Sequence, residues 1–168
     1  MPKLEVVAAR PGVWSQLREA AEAAAGAEPR LASQLNAVIL SHGDLSAALS
    51  FQIARKLGDA AVPAITAREV CRPPFEPDPG TVAAPEADLQ AVAERDPATR
   101  SLLQPFLYYK GFQALQGHRV AHWLWGQGRD TLAFHLQSRM SELFQIDIHP
   151  AARMGSGLFP DHGTGIVV

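Results

Sequence analysis

Four residues near the end of the chain, Ile148, Met154, Pro160 and Ile166, fall six positions apart. The units they open are IHPAAR, MGSGLF and PDHGTG, rich in glycine and other small residues. An aliphatic residue at every sixth position, with small residues between, is the pattern of a hexapeptide β-helix, each unit making one short strand and one corner. Three units would close one coil of about 18 residues. Pro160 departs from the pattern, because proline removes a ladder donor at an inward position. Three and a half units are few enough to arise by chance, so the rest of the chain must decide.

From about residue 12 to 145 the texture is different: Ala, Leu, Gln and Arg at helical spacing. VWSQLREAAEAAAG predicts a helix stopped at Gly26, and PRLASQLNAVIL a second, with Pro29 suited to a first turn. SHGDLSAALSFQIARKLG predicts a third, capped by Asp44 and closed by Gly58, with Leu45, Ala48, Leu49, Gln52, Ile53 and Leu57 on one face. The next helix must break at Pro73-Pro74, and a Pro-rich loop runs through Gly80. TVAAPEADLQAVAERD is a further helix ending before Pro97. SLLQPFLYYKGFQALQGHRVAHWLWGQG reads as one long segment with Leu115, Val120, Trp123 and Leu124 near its apolar face, and RDTLAFHLQSRMSELFQ completes the helical part. The expected fold is therefore mostly α: an all-α helical domain over 1–145, followed by the start of a left-handed parallel β-helix over 146–168.

The formal net charge is -2 and no Lys/Arg cluster occurs, which argues against nucleic acid or an anionic membrane as partner. A hydrophobic share of 47% with 19% charged residues is that of an ordinary globular protein, and the longest apolar runs fall short of a membrane span. Cys71 is alone, so no internal disulfide can form; this and an N-terminus without a signal-like apolar run point to the cytoplasm.

Chemistry concentrates in the tail. His162 follows Asp161, and Asp147 lies 15 positions before His162. An imidazole with an ordinary pKa of ~6.5 is a natural general base, and a carboxylate on its other nitrogen would fix its tautomer. On an 18-residue coil Asp147 and His162 would sit on neighbouring rungs, roughly 4.8 Å apart. Asp, His and Gly are also turn residues, so DHG reads equally as a corner. Asp96, before Pro97, reads alone as a helix-ending turn. His118 and His122 share a helix face at i, i+4, but no HExxH surrounds them, and packing beside Trp123 and Trp125 is the better account than a metal pair. No metal site and no bound cofactor is expected.

The segments FLYYKGFQALQGHRVAHWLWGQGR, FQIDIHPAARMGSG and DHGTGIVV, with HGDLSAALSFQIARKL and AVAERDPA before them in the same order, resemble serine O-acetyltransferase, a hexapeptide-repeat acyltransferase family. The resemblance runs from about residue 30 to 168. It implies acetyl transfer from acetyl-CoA, a co-substrate, to the hydroxyl of L-serine, by direct attack, in cysteine biosynthesis. It implies that His162 is the base and Asp147 its orienting carboxylate, and that Asp96 and Asp161 bind the substrate ammonium. It implies a homo-oligomer, trimeric or hexameric, and O-acetylserine sulfhydrylase as a partner docked by a C-terminal tail.

Family members continue for several more coils, which hold further serine-binding residues, most of the acetyl-CoA groove and that docking tail. The chain is therefore expected to be C-terminally truncated, with residues from about 150 onward poorly ordered or covered by a neighbouring chain, because one coil cannot bury its own faces. Two other readings stand beside the enzyme: a noncatalytic helical oligomerisation module, and a hexapeptide acyltransferase with another acceptor.

Overall fold

The computed structural model describes residues 11–76 and 82–168. The N-terminal stretch examined for a signal peptide falls mostly in residues 1–10, outside the described part, as do residues 77–81 of the Pro-rich loop.

Helix α1 (Val13–Ala27) buries Val13, Leu17 and Ala21, one stripe at four-residue spacing. A 3-10 turn at Pro29–Leu31 leads into α2 (Ala32–Leu35), which continues as a π-helical turn over Asn36–Leu40. In α3 (Leu45–Leu57) the Asp44 carboxylate accepts the Ala47 N–H at 2.8 Å, a cap typically worth ~1 kcal/mol. All six residues predicted for its inner face are buried. Gly58 does end this helix, but with φ of -61°, so no left-handed cap is involved. Its role is clearance: a Cβ there would stand 2.8 Å from the backbone of Ala64, where α4 (Ala64–Cys71) begins. Pro73-Pro74 breaks α4 as expected, and α5 (Ala83–Arg95) ends at Asp96.

The long segment predicted over 101–128 is two helices, α6 (Leu103–Tyr108) and α7 (Lys110–Gly126). The chain is extended at Tyr109, with φ -80° and ψ 113°. Two features make the break tolerable. The Leu107 carbonyl, orphaned at the end of α6, accepts from Gln113 Nε2 at 2.6 Å and from buried Gln52 Nε2 at 3.3 Å. The break also presents Gly111 to the backbone of Pro160 and Asp161, so closely that a Cβ would lie 1.9 Å from the Pro160 oxygen. Leu115, Val120 and Leu124 are buried as expected, and Trp123 is half-buried. Helix α8 (Asp130–Phe144) packs along α7 and stops at Gln145 in the left-handed conformation, φ 58°.

Helix then gives way to strand. β1 (Ile146–Asp147) and β2 (Ile166–Val167) pair in parallel, Ile146 with Ile166 and Asp147 with Val167. The pair is extended by Val168 N–H to the Asp147 carbonyl at 2.9 Å and His149 N–H to the Val168 carbonyl at 3.0 Å. This corrects the expected register, since partners lie 20 residues apart and not 18. Ile148, Met154, Pro160 and Ile166 still converge, lining one apolar cavity of ≈ 240 Å³ together with Ile146 and Leu115. Among the described residues the protein is mostly helical, with these two short strands.

Candidate active site

Residues 150–162 lie over the helices as a strap. Several of their backbone groups, which lack strand partners, are met by side chains from α5 and α7. His118 Nε2–H donates to the Ala152 carbonyl at 3.1 Å and His122 Nδ1–H to that of Pro150 at 2.7 Å. These carbonyls can only accept, so each histidine spends a ring N–H on the strap. Arg119 Nη2 reaches the Gly155 carbonyl at 2.9 Å and Arg95 Nη1 that of Gly157 at 3.0 Å. Asp88, 1% exposed on the inner face of α5, accepts from Arg119 Nη2 at 2.6 Å, Gln116 Nε2 at 2.9 Å and the Leu158 N–H at 2.9 Å. The segment expected to be poorly ordered or covered by another chain is thus fastened along its length to its own helices.

His118 is 1% exposed, and burial pushes its pKa down to about 4, against the bond to Ala152, which raises it. The folded state holds it neutral, whereas the unfolded chain protonates it near pH 6.5. Its contribution to stability is therefore complete above about pH 6.5 and lost as pH falls toward 4, on the order of 3 kcal/mol in all. We expect His118→Gln to flatten the dependence of unfolding free energy on pH between 6.5 and 4, measured by urea denaturation; an unchanged slope would remove His118 from the account.

The strap delivers Asp161 and His162 to the junction of α6 and α7. There a cavity of ≈ 500 Å³ is lined by Asp96, Ala98, Tyr108, Tyr109, Lys110, Asp161 and His162. That volume suits a small-molecule site. Asp96 is both things that the sequence allowed. It ends α5, and it is an Asx turn whose Oδ1 accepts the Ala98 N–H at 2.9 Å. Its Oδ2 is 2.6 Å from Thr99 Oγ1, which in turn is 3.0 Å from the Tyr109 hydroxyl. The Thr99 and Ala98 bonds hold the Asp96 carboxyl below its ordinary pKa, with Tyr109 and His162 adding to this and desolvation opposing it. Lys110 Nζ donates to the Thr164 hydroxyl. His162 is 95% exposed and 4.0 Å from Asp161, so its ring is unclamped.

Asp147 is not among these groups. It points away from its buried neighbours Ile146 and Ile148, accepts a hydrogen bond from Gln137 of α8, and lines a different cavity with Phe134, Ser138 and Ser141. Within one chain the expected Asp147–His162 pair is not formed. In the observed register Val167, not His162, lies beside Asp147, and His162 occupies a corner. Three of the four expected residues, Asp96, Asp161 and His162, share the cavity. Thr99, Tyr109, Lys110 and Asp88 were missed. Asp88 carried a signal, a carboxylate among the inward positions Pro85, Leu89 and Val92. Thr99 carried a weaker one, three residues after a turn-forming Asp. Tyr109 and Lys110 carried none, because their positions follow from the helix break.

An Asp pair beside an imidazole can seat a cation and take a proton from a group attached to it. The family described as serine acetyltransferase, N-terminal, matches residues 13–117. The serine acetyltransferase of Escherichia coli strain K12 is 48% identical over 156 residues, 93% of this chain and 57% of that protein. The serine acetyltransferase of Brucella abortus strain S19, solved in complex with coenzyme A, superposes with a TM-score of 0.89 at 46% identity, over 92% of this chain and 62% of that one. A serine acetyltransferase solved in complex with cysteine gives 0.90 at 44% identity, over 92% and 64%. The chain thus spans less than two thirds of the length of each.

Proposed function

We propose, for a chain that belongs to the serine acetyltransferase family, that it serves acetyl transfer from acetyl-CoA to the hydroxyl of L-serine. The observation that carries this reading is the shared cavity of Asp96, Asp161 and His162. The two carboxylates take the ammonium of serine, which brings the hydroxyl to the imidazole. His162 accepts the hydroxyl proton as the oxygen attacks the thioester carbonyl, because an un-ionised hydroxyl is a poor nucleophile. The C–S bond then breaks, and the departing CoA sulfur takes the proton from the imidazolium. No acyl-enzyme forms, and acetyl-CoA is a co-substrate. The complexes of relatives with coenzyme A and with cysteine support both ligand classes.

Asp147 keeps its proposed role as the carboxylate that orients His162. As it faces another cavity within its own chain, this reading pairs it with His162 of a second copy in a homo-oligomer, trimeric or hexameric. On this reading the helices up to residue 145 belong to an N-terminal helical domain, and 146–168 are the start of a left-handed β-helix. A place in the cytoplasm is part of this reading, supported by the lone free thiol of Cys71; among the described residues no helix is long and apolar enough to cross a membrane. The whole protein would act in cysteine biosynthesis with O-acetylserine sulfhydrylase.

The test is thiol release from acetyl-CoA by the full-length protein. Release is expected to require L-serine and to fall at least ~10-fold in kcat/KM with 3-hydroxypropanoate, which keeps the hydroxyl but lacks the ammonium. Release that ignores the amino group would sink the reading.

A further inference from the structure

We infer that Thr99 and Tyr109 are positioning residues that fix the Asp96 carboxylate, turned toward the cavity, as the seat of the acceptor's amino group. The inference rests on the acceptor reading above and adds the pair that holds its anion. Thr99 Oγ1 stands between two oxygens, Asp96 Oδ2 at 2.6 Å and the Tyr109 hydroxyl at 3.0 Å. A threonine hydroxyl has one proton, and an ionised carboxylate can only accept. The Thr99 proton therefore goes to Asp96, and the Tyr109 hydroxyl proton is left for Thr99 Oγ1 or for the Asp96 carboxylate itself, on which it also bears. Donors aligned in this way polarise one another and strengthen the bond at the charged end.

The geometry also settles which part of Asp96 remains free. Oδ1 takes the Ala98 N–H at 2.9 Å and Oδ2 takes Thr99, so each oxygen is anchored on its turn side and keeps a lone pair for the cavity. The other polar side chains lining that cavity are Asp161 and His162 from the strap, Tyr108 from α6, Tyr109 at the helix break and Lys110 from α7. Of these, Asp161 is a second negative charge, which would favour a proton on Asp96 if its donors were lost. Thr99 is the strongest of the influences that keep Asp96 acidic. Tyr109 reaches Thr99 because the chain is extended between α6 and α7, the same break that brings Gly111 against Pro160. One backbone irregularity thus sets the strap that carries His162 and the phenol behind Asp96.

The experiment compares Thr99→Val, Tyr109→Phe and Thr99→Ser in the full-length protein. Two readouts are taken: serine kinetics by thiol release, and titration of the Asp96 carboxyl carbon by NMR. Thr99→Val is expected to raise KM for L-serine about 5- to 20-fold with kcat little changed, to raise the Asp96 midpoint, and to move the acid limb of kcat/KM upward with it. Tyr109→Phe moves the same quantities less, and Thr99→Ser restores them. An unmoved Asp96 midpoint in Thr99→Val overturns the inference, as does a joint fall of kcat and thermal stability without a change in the acid limb. Should the unmodified protein show no serine-dependent release, the acceptor reading fails on its own, while the Asp96 midpoints still decide whether Thr99 and Tyr109 hold the carboxylate.

Discussion

His162→Ala in the full-length protein is expected to lower kcat for the proposed acetyl transfer to L-serine by about 10²- to 10⁴-fold, the usual contribution of a positioned base, and to leave thermal unfolding where it was. The two halves of this expectation have separate causes. Among the described residues lining the cavity His162 carries the single imidazole, the side chain best suited to take a hydroxyl proton. The ring is also 95% exposed, and its ion-pair partner is Asp161 at 4.0 Å. Exposed pairs at such distances contribute little to folding. Removing the ring therefore deletes chemistry without deleting packing. Turnover by thiol release and unfolding by calorimetry check this together. A variant that loses both would make His162 a structural corner, the alternative that its sequence context allowed.

Asp88→Ala acts in the opposite sense. The substitution removes the shared acceptor of the Arg119 guanidinium, the Gln116 amide and the Leu158 N–H at a buried site, where each had an oxygen within 2.9 Å, and Arg119 keeps the Gly155 carbonyl. Breaking a buried ion pair by removing one partner typically costs about 3–5 kcal/mol. For a chain of this size that is a fall in Tm of roughly 6–20 °C. The damage is directional. Leu158 sits on the strap, so its amide is expected to exchange with solvent faster than those of α3. Asp88→Asn, which keeps an acceptor of the same shape, should show a smaller fall. Hydrogen exchange followed by mass spectrometry reads the contrast, and uniform exchange across both segments would mean that Asp88 does not hold the strap in particular.

Much of this was legible because it depends on local rules. The Asp44 cap, the inner face of α3 and the break at Pro73-Pro74 follow from residue type and spacing, and the structure has them. The mostly helical character was legible for the same reason. The division at Tyr109 was not, since its cause is the approach of Gly111 to a strap 50 residues further along the chain. The six-residue spacing correctly marked Ile148, Met154, Pro160 and Ile166 as sharing an apolar interior, yet misjudged the register by two residues. Spacing records which side chains turn inward; the length of a corner is decided by backbone hydrogen bonds that spacing does not encode. The expectation that Asp147 meets His162 within one chain rested on that 18-residue coil, and the 20-residue register sets Val167 beside Asp147 instead. Asp96 was legible as a turn from its proline, and as a site residue only through family resemblance.

The strap has a consequence for the order of assembly. Its carbonyls and N–H groups are met by side chains that all precede it in the sequence, on helices between Asp88 and His122. Chains emerge from the ribosome N-terminus first, and helices with local contacts form quickly. The berth for the strap is therefore built from residues that emerge ahead of it. The newly synthesised segment need not find its shape by pairing with later strands; it is moulded on a surface already waiting for it, and His162 arrives in place as the mould is filled.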